Sequence, residues 1–309
     1  MLEVLIQMSG LILCGIGWQI IQPAGLDAKQ TRLVLTSLVY YLLLPALVLS
    51  VLWQAELGAR SLQIAAAGMF GILTGLFLSV FTCRICRSNA AAAGAAVLAA
   101  SFPNVTYLGL PVLEATFGGW SRSVAIQYDL FAATPLLFTA GILVAAHYGH
   151  GRSTMRGMLR ELRRIPALWA CGAAILLNLS DVPMPSLLGG LLSLLERGVV
   201  PLMLISLGLS LKWGRAQWKT LPSVAPVVVL SLLIVPALVF PFTGMIGLSG
   251  EWRTAVVMEA AMPSMVLGLV ICDRFGLDTS LYATSVTVTT VLSMVTLPLW
   301  YEWLNTMQG

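Results

Sequence analysis

Two pairs of residues carry the most readable chemistry in this chain, Pro103-Asn104 and Pro263-Ser264. Each pair sits inside an apolar stretch, AAAAGAAVLAASFPNVTYLGLPVLEATFG over 90–118 and TAVVMEAAMPSMVLGLVICDRFG over 254–276. Proline removes a backbone donor and crowds the turn before it, so a helix must break or kink there. Asparagine and serine are residue types that cap a new helix start. Half-helices beginning near Val105 and near Met265 would turn free N–H groups and partial positive charge into the middle of each stretch. Such helix ends attract anions, carboxylates included. The candidate substrate-binding residues are therefore Pro103, Asn104, Val105, Pro263, Ser264 and Met265, with Gln127 added from a later stretch. The competing reading is that Asn104 and Ser264 only satisfy broken backbone.

Ionisable residues inside apolar runs are expensive, which makes each one a functional hypothesis. Asp129 follows Gln127-Tyr128, and Glu259 lies four residues ahead of Pro263, one helical turn before the break. A carboxyl group that alternates between dry and watered surroundings can carry a proton, and it can equally hold Na⁺ through its oxygens. Asp129 and Glu259 are the candidates for ion or proton coupling; the rival reading pairs them structurally with Arg197 or with free backbone. Glu196-Arg197 reads as a salt bridge within or between spans, and Glu114 as interfacial. His147 and His150 read as end-of-span or loop residues. The chain shows no catalytic set and no metal-ligand spacing: HExxH, GxSxG and a facing Asp pair are all missing. Of the five cysteines, Cys83-Arg84-Ile85-Cys86 forms a CxxC with no second Cys/His pair and no redox-fold context.

Positioning these residues is the work of membrane spans. Hydrophobic residues make up 58% of the chain and charged residues 10%, with a mean hydropathy of +0.91. Soluble domains sit nearer 45–50% and about 25%. This is the composition of an all-α polytopic membrane protein. The net charge of +4 sits in loops and carries no sign of nucleic-acid binding. No basic flank precedes the first apolar run, so 4–21 reads as a span and not as a cleaved signal.

Ten transmembrane helices are expected, over 4–21, 33–53, 62–83, 90–118, 124–147, 166–179, 187–211, 224–246, 254–276 and 281–304. Loops after odd-numbered spans hold 13 Lys and Arg residues against 3 after even-numbered ones, counting Arg60, Arg122 and Arg253 in the second set. By the positive-inside rule the odd loops face the cytoplasm and both termini face outward. Pro263 follows Pro103 by 160 residues, about half the chain, and Phe275-Gly276 echoes Phe117-Gly118. Pro45 and Pro201 correspond in the same way, as do Pro135 and Pro298. Five spans per half forces opposite insertion, so residues 1–148 and 166–309 are expected to be two inverted five-helix repeats with broken crossing helices 4 and 9. The arginine-rich 149–165 segment joins them as a cytoplasmic linker.

Ser101-Phe102-Pro103-Asn104 with Gly109-Leu110-Pro111 and Phe117-Gly118 resembles the first signature of the auxin efflux carrier family. Ala260-Ala261-Met262-Pro263-Ser264 with Phe275-Gly276-Leu277-Asp278 resembles the second. Leu43-Leu44-Pro45-Ala46-Leu47 and Pro201-Leu202-Met203-Leu204-Ile205-Ser206-Leu207-Gly208 are also similar to family segments, so the resemblance runs over essentially the whole chain. It implies a panel of helices 1, 2, 6 and 7 and a core of helices 3–5 and 8–10. It also implies organic-anion substrates: auxin in the plant branch, and malate, malonate or similar carboxylates in the bacterial one. Sodium–bile acid symporters belong to the wider superfamily. Two departures stand against the plant role: the long hydrophilic central loop is missing, and Ser264 stands where the plant proteins carry asparagine.

The expectation is a secondary active transporter of small organic anions in a bacterial inner membrane. It would work by elevator-type alternating access, need no cofactor, and couple to H⁺ through Asp129 or Glu259. A Na⁺-coupled symporter of the bile-acid type is the alternative, kept open by Thr284, Ser285, Thr287, Thr289 and Thr290. A non-transporting receptor is more remote, since it would have no use for two matched breaks. The partners expected are the substrate anion and the lipid bilayer, with a homodimer left open because family members often dimerise.

Overall fold

The structure, a computed structural model, describes residues 2–150, 157, 159–160, 163–211 and 215–307. The linker arginines Arg152 and Arg156, and Lys212 among the loop charges, lie outside the described residues. The described chain is helical throughout and forms no strand.

Six helices are long and apolar enough to cross a membrane: α2 (Ala28–Trp53), α3 (Ala59–Ile85), α6 (Ser121–Tyr148), α8 (Ser186–Ser210), α9 (Thr220–Met245) and α12 (Thr279–Thr306). Shorter helices complete the order: α1 (Leu2–Ile21), α4 (Ala90–Ser101), α5 (Val105–Phe117), α7 (Pro166–Leu179), α10 (Gly250–Ala260) and α11 (Gly268–Phe275). The stretches 90–118 and 254–276 are thus each two half-helices, α4/α5 and α10/α11, interrupted at the expected prolines.

Side chains cap the starts of α2, α4 and α12. Asp27 accepts from the N–H groups of Lys29 and Gln30, Asn89 from Ala92, and Asp278 from Leu281. Each satisfies donors that a helix start otherwise leaves open.

Pro45, Pro111, Pro135 and Pro236 do not break their helices, whereas a turn at Arg197–Gly198 interrupts α8 just ahead of Pro201. A widened π-helical turn ends two residues before Pro45, Pro111, Pro135 and Pro236, over Val39–Leu43, Val105–Gly109, Asp129–Ala133 and Leu230–Ile234. The extra residue in the turn moves a carbonyl out of the proline ring's way and keeps the remaining bonds.

The helices sort into two groups by contact. In the first, α1 lies against α8, and α2 against α7 and α8. The α1–α8 crossing is backbone on backbone, since a Cβ on Gly208 would collide with the Ile12 carbonyl and one on Gly15 with that of Ile205. In the second group α3 packs on α4, α6 and α9, and α12 packs on α4, α9 and α11. Fewer contacts join the groups: α5 touches α1 and α8, while α6 touches α2 and α7. A cleft therefore runs between the groups, with α5 and α6 forming one wall.

Candidate functional site

The two breaks meet. The Asn104 N–H donates to the Pro263 carbonyl at 2.7 Å, and the Met265 N–H donates to the Phe102 carbonyl at 2.9 Å. This makes an isolated antiparallel bridge between Pro103 and Ser264. Each break thus satisfies backbone groups of the other, as non-helical backbone at membrane depth requires. The Ser264 N–H donates to Thr289 Oγ1 at 3.1 Å, and the Tyr282 hydroxyl donates to the Met265 carbonyl at 2.7 Å.

With the backbone settled, side-chain atoms are left over. Asn104 Nδ2 and Ser264 Oγ are buried and have no partner. Neither side chain caps the helix that follows it. α5 does begin at Val105, where its first turn closes on the Asn104 carbonyl, but the Asn104 side chain takes no part. The second half-helix begins at Gly268 and not near Met265, because the bridge and the Tyr282 hydroxyl hold Met265 outside a helix.

Glu259 is fully buried, and both its oxygens lack partners. It sits against the first broken span: a Cβ on Gly109 would overlap its carboxylate. The carboxylate thus touches the turn that opens α5 from a residue one turn before the other break. Gln127 is buried as well, with Nε2 donating to Ser123 Oγ at 2.6 Å and Oε1 left without a partner.

Asp129 is placed differently. It is half-buried in the part of α6 that faces α7 across the cleft, and its carboxylate accepts from the Thr134 hydroxyl at 2.9 Å and from Thr106. Thr106 lies two residues past Asn104, in the α5 turn that touches α8. Among the described residues the structure therefore connects Asp129 and Glu259 each to α5, and pairs neither with an arginine. Thr106 and Thr134 escape a sequence reading because uncharged hydroxyls carry neither a charge nor a periodic signal. In α12, Thr284, Ser285, Thr287 and Thr289 donate to carbonyls of their own helix, whereas the buried Thr290 hydroxyl has no partner.

At one end of the cleft Arg122 takes two carboxylates. Its Nε meets Glu114 at 2.8 Å and its Nη1 meets Glu196 at 2.9 Å. Glu196 thus pairs between spans, with Arg122 and not with its neighbour Arg197. Two cavities border this contact, of about 440 and 630 Å³. The crossing itself is tightly packed, bordered by a void of about 10 Å³ lined by Ser101, Pro103 and Tyr128. Among the described residues no group of three or more His, Cys, Asp or Glu could hold a metal ion.

Spanning helices that meet at two buried, mutually bonded breaks define an integral membrane protein of the transporter class. Comparison with known proteins agrees. The chain belongs to the membrane transport protein family, whose model matches residues 9–301, a range that includes all four segments resembling the auxin efflux carriers. An uncharacterized transporter of Methanothermobacter thermautotrophicus is 28% identical over 296 residues, 95% of each chain. One of Methanocaldococcus jannaschii is 25% identical over 290 residues, 89% of this chain and 91% of its own. One of Escherichia coli is 23% identical over 231 residues, 72% of each. The protein is a transporter and not an enzyme.

Proposed function

We propose that this chain is a secondary active transporter of small organic anions, carboxylates such as malate, malonate or auxin-like acids, coupled to protons. The observation that carries this reading is the bridge of the two breaks, which leaves Asn104 Nδ2 and Ser264 Oγ buried and unpaired, one from each break. An unpaired amide donor beside the start of α5 suits a carboxylate oxygen. Pro103, Val105, Pro263 and Met265 shape that site, and Gln127 offers a further unpaired atom. Asp129 and Glu259 carry the coupling, each reaching α5 from a different side chain environment.

On this reading the helical passages form two inverted five-helix repeats, 1–148 and 166–309, joined by 149–165. α1, α2, α7 and α8 are the panel and the rest the core; the sparse contact between the two groups supports this division and an elevator-type motion along the cleft. The protein sits in a bacterial inner membrane, and the distribution of Lys and Arg supports both termini outside.

Purified protein in proteoliposomes tests the proposal, with labelled malate, malonate and an indole acid offered under an inward pH gradient or an inward Na⁺ gradient. Uptake driven by the pH gradient is expected. Asn104→Ala removes one hydrogen bond to a charged group, worth about 1.5–3 kcal/mol, so apparent affinity should fall by roughly 10–100-fold. Uptake that requires Na⁺ would favour a second reading. Four buried residues, Gln127, Glu259, Ser264 and Thr290, carry unpaired oxygens of the kind that ligate a hard cation. No uptake of any of these acids under either gradient would overturn the carboxylate assignment.

A further inference from the structure

The Arg122 cluster is not needed by the crossing, yet it holds both walls of the cleft. Glu114 at the end of α5 and Arg122 at the start of α6 belong to one helix group, in which α5 and α6 pack on each other. Glu196 in α8 belongs to the other group. Arg122 and Glu196 both line both cavities. Their side chains are therefore the partition between a space bounded by Gln7, Leu47 and Pro201 and one bounded by Gln54, Trp120 and Trp252. The contact is only partly shielded, with the Arg122 side chain 24% exposed and that of Glu196 13%. Glu196 Oε2 is buried and has no partner of its own.

We propose that the Arg122–Glu196 contact is a latch across the cleft, and that its release joins the two cavities into one vestibule. Glu114 is what makes the latch reversible. When the groups separate, Arg122 keeps the Glu114 carboxylate that moves with it, so the guanidinium is not left without a counter-charge. Glu196 then faces the joined, watered space with both oxygens. A partner that stays and a partner that leaves divide the two ends of one side chain between holding and switching.

The inference rests on relative motion of the two groups, as in the elevator reading, but its readout needs no substrate. Spin labels at Gln54→Cys and Glu251→Cys, on opposite sides of the second cavity, report the width of the cleft by pulsed dipolar spectroscopy. The full chain is used in lipid nanodiscs, with Cys14, Cys83, Cys86, Cys171 and Cys272 replaced by alanine. Glu196→Gln should shift the distance distribution to longer values, whereas Glu114→Gln should leave it in place. An unchanged distribution in Glu196→Gln or an equal shift in Glu114→Gln would each overturn the latch. Failure to transport carboxylates would leave both measurements intact.

Discussion

Glu259 presents the hardest energetic problem in the molecule. An ionised carboxylate with no hydrogen-bond partner and no exposure carries the full cost of desolvation, several kcal/mol even after relaxation, and a bound proton or cation removes most of it. Glu259→Gln keeps the shape and abolishes the charge. In proteoliposomes this variant should still exchange substrate across the bilayer at equal pH, while accumulation driven by a pH gradient disappears. Retained gradient-driven accumulation would remove Glu259 from coupling. Gly109 tests the same contact from the other side. Gly109→Ala places a methyl group in the Glu259 carboxylate and should cost about 1–3 kcal/mol, seen as a lower melting temperature. Glu259→Ala in the same chain should recover most of that loss, because the two residues share one space. At this scale the sequence was a good guide to charge and a poor guide to contact. Asp129 and Glu259 stood out because ionisable groups are rare in apolar runs. Arg122 did not, because a cation near the end of a span reads as a loop charge until Glu114 and Glu196 are seen closing on it.

Single elements were legible to different depths. The two broken helices could be read because proline in mid-span leaves few alternatives, and both breaks fall where expected. Their continuation was legible only in part. Asparagine and serine after a proline look like helix caps, but here the backbone of each break is satisfied by the other break, and the second half-helix starts only at Gly268. The π-helical turns ahead of Pro45, Pro111, Pro135 and Pro236 were not legible at all. One added residue leaves hydropathy untouched while it rotates everything beyond it about the helix axis. The α1–α8 crossing yields a prediction at this scale. Gly208→Val would drive two methyl groups toward the Ile12 carbonyl, a backbone atom that cannot step aside. The variant should lose folded protein, visible in size-exclusion chromatography as loss of the monodisperse peak. The same change at Gly172, which has open space around it, should be silent in that assay.

Over the whole molecule, hydropathy announced a polytopic helical protein, and six long spanning helices answer to it directly. The two-group arrangement lay beyond what hydropathy can say, because it depends on which ends of the chain find each other. α1 closes on α8 and α2 on α7, while α4 closes on α12 and α6 on α10. Each group of helices is therefore assembled from both ends of the chain, and the bridge at Pro103 and Ser264 ties the ends together once more. Neither end holds a complete interior by itself. Expressed as two polypeptides, residues 1–150 and 157–309, the protein should appear in the membrane only when both are made together, and they should purify as a one-to-one pair. Either piece alone should be degraded. The two ends of this chain are in effect subunits of a heterodimer that share one gene product, and the basic segment between them is a tether.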